Sequence, residues 1–72
     1  MTSVHVFRLR RDMEVFQEKC INSMVPGTTR MVALQWLACR VQLFLDSDIG
    51  EEDVARIRFY LRNWERQMFG RG

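Results

Sequence analysis

The stretch MVALQWLACRVQLFL, residues 31–45, decides the fold, because only Gln35, Arg40 and Gln42 in it are polar. At about 100° per residue, Gln35, Gln42 and Asp46 fall in one narrow stripe, which predicts the only solvated edge of this helix. Val32, Trp36, Cys39 and Leu43 lie to one side of that stripe. Leu34, Leu37, Val41, Phe44 and Leu45 lie to the other. A helix that is apolar on most of its circumference has to be covered from several sides. The sequence on either side supplies two candidate covers. Val6, Leu9, Met13, Phe16 and Cys20 step by three and four, and Val54, Ile57, Leu61, Trp64 and Met68 repeat those steps. Each set is one helical face in search of a partner.

The breaks between these patterns set the boundaries. Thr2 or Ser3 can cap a first helix over residues 3–24, although Val4, His5, Val6 and Phe7 are β-prone and offer an extended arm instead. Pro26-Gly27 ends that helix. Thr28 or Thr29 caps a second over 29–46, and the turn Ser47-Asp48-Ile49-Gly50 leads to a third over 50–69. Asp48 with Glu51 has capping-box spacing. Glu51, Glu52 and Asp53 suit the positive end of the third helix dipole, Arg62 and Arg66 its negative end, and Gly70 its stop. Two short connections predict an all-α domain spanning residues 1–72, three antiparallel helices running up-down-up.

Seventy-two residues allow one domain with a thin core, and cores of this size are commonly completed by a disulfide, a metal or a second subunit. Two short outer helices cannot cover residues 31–45 alone, so the pattern predicts a homodimer. Trp36 and Leu43 are its expected anchors, and Arg40 is a charged element inside the interface or a side chain that snorkels or pairs with a carboxylate such as Glu14 or Asp12 across the hairpin.

Catalysis, metal binding and membrane insertion find little support. The one histidine, His5, would sit about 13 Å along the helix axis from the level of Cys39, and farther still from Cys20, too far for a Cys–His dyad. One His and two separated Cys do not form a zinc site. By the same levels Cys20 faces Ala33 rather than Cys39, so both cysteines read as unlinked core residues in a reducing cytoplasm. Met13, Met24, Met31 and Met68 read as core filler. The glycines are scattered and build no phosphate loop, and no cofactor is implied. Gln35, Arg40 and Gln42 interrupt the longest apolar stretch well short of a spanning helix. An apolar patch before Arg8, Arg10 and Arg11 is the reverse of a secretory signal.

Ten of the eleven basic residues are Arg, although the net charge is only +2. Arg suits planar and stacked contacts. On the third helix Arg58, Arg62 and Arg66 recur every four residues, a like-charge row that Glu65 relieves in part, with Phe59 and Phe69 bracketing it. This composition suits a protein-recognition surface, and it also occurs on nucleic-acid platforms. The leading expectation is a non-enzymatic helical regulator or inhibitor. It binds an acidic protein target through Arg58, Phe59, Arg62, Arg66 and Phe69. The alternative is a nucleic-acid-binding regulator that adds Arg8, Arg10 and Arg11 to the row. Nine acidic residues and the absence of a clear helix-turn-helix weigh against that alternative.

Overall fold

In the computed structural model, which describes residues 3–70, all regular structure is helical: α1 (Val4–Asn22), α2 (Thr29–Asp46) and α3 (Val54–Phe69), the last entered through a single 3-10 turn, Glu51–Asp53. The Ser3 hydroxyl accepts from the His5 N–H and starts α1. Helix therefore wins over the extended arm at Val4–Phe7. Thr2, the other candidate cap, lies outside the described residues. The Thr28 hydroxyl accepts from the Met31 N–H and caps α2. Gly27, at φ 82°, makes the turn before it in a conformation that suits glycine. The expected capping box at Asp48 and Glu51 does not form; neither Gly50 nor Asp53, at the starts of the 3-10 turn and α3, makes a side-chain cap bond. The 3-10 turn brings three carboxylates to that end instead.

Both seams are the core. Val6, Leu9, Met13, Phe16 and Cys20 of α1 are buried, as are Val54, Ile57 and Leu61 of α3, with Trp64 and Met68 half-buried. From α2 come Leu34, Leu37, Ala38 and Val41, and Ile49 closes one end. The arrangement departs from expectation in which helix is central. α1 packs against both α2 and α3, whereas α2 and α3 meet chiefly through aromatic rings. Trp64 is the hub, with the rings of Phe16, Trp36, Phe44 and Tyr60 between 5.9 and 6.4 Å from it, centroid to centroid.

Two arginines close helix ends across the fold. Arg10 donates to the carbonyls of Leu45 and Ser47 at the end of α2, at 2.7 and 2.8 Å. Arg30 donates to the Met68 carbonyl at the end of α3, at 2.7 Å. Each satisfies carbonyls that a helix terminus leaves without an intrahelical donor. Gln17 of α1 donates to the Ala38 carbonyl and to the Gln42 side chain.

The molecule is a slab, with Cα extents of 43 × 25 × 14 Å and a radius of gyration of 12.7 Å. A compact chain of this length would have a radius of about 11 Å.

Candidate functional site

Among the described residues, two surfaces bear on the predicted site and interface. The first is a cleft between α1 and α3, of about 370 Å³, with Val15, Phe16 and Leu61 as its apolar lining. Its rim holds Arg11 and Lys19 from α1, and Arg58 and Arg62 from α3, against the carboxylates of Asp12 and Glu65. Both carboxylates are already engaged. Asp12 pairs with Arg58 and Glu65 with Lys19, each at 3.2 Å. Arg11 and Arg62, and Arg66 in a hollow adjoining the cleft, make no ion pair among the described residues. Glu65, placed beside Arg62 and Arg66, forms its ion pair with Lys19 rather than with an arginine of the row.

The predicted recognition residues divide between different environments. Arg58 and Arg62 line the cleft, joined by Arg11 from the neighbouring helix. Arg66 stands beside Phe69 in the adjoining hollow. Phe59 is exposed but does not line the cleft; its ring lies edge-on to Tyr60 at 6.3 Å. Phe69 is no exposed anchor, since its half-buried ring packs edge-on to Phe16 at 6.2 Å. The Lys19 ammonium and the Arg30 guanidinium cover that ring at 4.6 and 5.3 Å from its centroid. Arg10 is committed to the α2 terminus and is not available to a basic patch.

The second surface is the outer face of α2. Val32, Trp36 and Leu43 are 62%, 54% and 60% exposed, so the solvated edge extends far beyond the Gln35–Gln42–Asp46 stripe. One of the two apolar sets, Leu34 to Leu45, supplies the core; in the other, Trp36 alone reaches a ring of α3. Arg40 pairs with neither Glu14 nor Asp12. Its guanidinium lies over the Trp36 ring, 5.2 Å from the centroid. Beside this face runs an open apolar groove of about 560 Å³, between Val32, Ala33 and Trp36 on α2 and Trp64 and Met68 on α3.

The cysteines also part company. Cys20 is buried, and desolvation pushes its thiol above its ordinary value against a weaker downward pull from Lys19 and Arg30. Cys39 is not the core residue its pattern predicts, for it is exposed on the outer face of α2; neither cysteine is in a disulfide. No described helix is long and apolar enough to cross a membrane.

Comparison with protein-family models, with curated proteins and with solved structures finds no match.

Proposed function

We propose that this chain is a non-enzymatic regulator that acts by binding an acidic segment of another protein, and that it works as a homodimer in the cytoplasm. The observation that carries the reading is the cleft between α1 and α3. Its own carboxylates are consumed in ion pairs, while Arg11 and Arg62 on its rim, and Arg66 beside it, have none. Guanidinium groups at the edge of an apolar trough can take carboxylates bidentately while the trough accepts the aliphatic or aromatic part of the same segment. An up-down-up order of the helices is part of this reading. It is supported by contacts between α1 and α2 that run in opposite numbering, Arg10 with residues 45 and 47, and Gln17 with 38 and 42. Contacts between α1 and α3, Asp12 with Arg58 and Lys19 with Glu65, run in the same direction.

The test is charge reversal. Arg62→Glu with Arg66→Glu replaces two exposed side chains, so the helical spectrum should survive while capture of the target from the native cell extract is lost. A folded double variant that still captures the same target would overturn the reading. Salt separates protein from nucleic acid as the ligand: binding that collapses between about 50 and 200 mM salt, with nucleic acid in the recovered complex, would assign the cleft to a polynucleotide.

A further inference from the structure

We infer that the cleft between α1 and α3 takes a short acidic helix, with two carboxylates four residues apart for Arg66 and Arg62 and a third, nine residues from the first, for Arg11. This rests on the acidic-segment reading above and specifies the conformation and spacing of that segment. The two ion pairs across the cleft set its frame. Asp12–Arg58 and Lys19–Glu65 each join residues 46 apart, so residues at one level of α1 and α3 differ by that number. The pairs are seven residues apart on either helix, 12 to 19 and 58 to 65, which is about 10.5 Å. They bar both ends of a window floored by Val15, Phe16 and Leu61. Val15 is exposed there, while Phe16 and Leu61 are buried. By the same offset Arg62 stands level with Phe16 inside the window, Arg11 just beyond one bar and Arg66 just beyond the other. Three guanidinium groups with no ion pair among the described residues are therefore staggered along the cleft, two on the α3 wall and one on the α1 wall.

That stagger selects the backbone of the ligand. Along the axis Arg66 and Arg62 are about 6 Å apart, and Arg66 and Arg11 about 13.5 Å. In a ligand helix these are steps of four and nine residues. At about 100° per residue, four residues return to nearly the same side and nine end half a turn away. The first two carboxylates then face α3 and the third faces α1. An extended segment covers the same distances in about two and four residues, and its period of two points all three side chains to one side. It cannot serve both walls. It would also lay a row of backbone N–H and C=O groups against two helices that bond their own backbones, whereas a helix brings none. At about 370 Å³ the cleft takes side chains and not a helix about 10–12 Å across. The ligand therefore rides on the rims and lowers an apolar side chain onto Val15 between the ion pairs.

Three labelled alanine-based peptides of about twenty residues, long enough to hold a helix, test this by fluorescence anisotropy with the whole chain. The first carries glutamates at i, i+4 and i+9, and leucines at i+5 and i+6 that put an apolar side chain on each arc between the walls. In this order it runs antiparallel to α3. The second has the same composition with its glutamates consecutive. The third keeps the spacing but replaces two internal alanines by proline, which breaks the helix. The first should bind at least about tenfold more tightly than either of the others. Arg11 is exposed, so Arg11→Ala should keep its fold. That variant should bind the first peptide about tenfold more weakly, and should bind a version lacking the i+9 glutamate as the natural chain does. Equal weakening of both versions would overturn the inference. So would equal binding of the first peptide and either of the other two, an outcome that leaves the acidic-segment reading standing. Binding of none of the three by the folded chain would overturn both, as would a preference for a single-stranded oligonucleotide.

Discussion

Cys20 and Cys39 belong to the same residue type and meet different surroundings. Cys20 completes the α1 seam, where Leu9 and Met13 are equally inaccessible, and burial holds its thiol protonated. Cys39 stands at the edge of the outer α2 face, beside Trp36 and Arg40. Thiolate is the reactive form and needs access to reagent, so the two should label at very different rates. Maleimide or iodoacetamide near neutral pH should modify one thiol per chain rapidly, mapped by peptide mass to Cys39. Cys20 should react only on unfolding. The raised value also fixes a sign for alkaline stability. The unfolded thiol loses its proton first as pH rises, so this contribution to stability falls from the ordinary thiol range upward. Equal labelling of both residues in the folded protein would contradict this placement of Cys20.

At the scale of the helices, stability depends on what happens at their ends as well as on their seams. Arg10 makes two charge-assisted bonds to the terminal carbonyls of α2, joining the start of α1 to the end of its neighbour. Arg10→Ala should therefore cost about 1–2 kcal/mol in denaturant unfolding. Arg10→Lys should recover only part of that, because an ammonium lacks the planar fork that spans two carbonyls. A loss no greater than that of Arg8→Ala, a change to an exposed Arg two residues away, would show that the tether contributes little. What was legible in the sequence follows the same division. Local periodicity exposes a seam, so Val6 to Cys20 and Val54 to Met68 read correctly, as did the division of α2 into two apolar sets. Periodicity is blind to which set meets the chain's own helices. It therefore placed Cys39 in the core and left Val32, Trp36 and Leu43 waiting for a cover. Cross-fold contacts are equally invisible to it. Arg10 and Arg30 find carbonyls 35 and 38 residues away, and Phe69 turns toward Phe16 of α1 rather than outward. The Arg row was legible as a row; its cleft was not, because Arg11 and Lys19 complete it from another helix.

For the molecule as a whole, a 14 Å slab with one helix between two others has little interior to lose, so a second subunit should be a large share of its stability. That share obeys mass action. If folding and association are one transition, each tenfold rise in protein concentration adds about 1.4 kcal/mol to the dimer and nothing to a monomer. The melting temperature of the natural chain should therefore climb steadily with concentration. Leu43→Asp, which leaves the core of a single chain intact, should melt lower and at a temperature independent of concentration. Its deficit against the natural chain should widen as both are concentrated. Leu34→Ala provides the contrast, because Leu34 is fully buried within one chain. That truncation should cost about 2–5 kcal/mol. It should lower the melting temperature by a nearly constant amount and retain the climb as long as the dimer remains. Parallel curves for Leu34→Ala with a flat line for Leu43→Asp would assign core and interface to opposite faces of α2. A flat line for the natural chain would mean that one slab is stable alone, and would overturn the homodimer reading with Val32, Trp36 and Leu43 left as an exposed row.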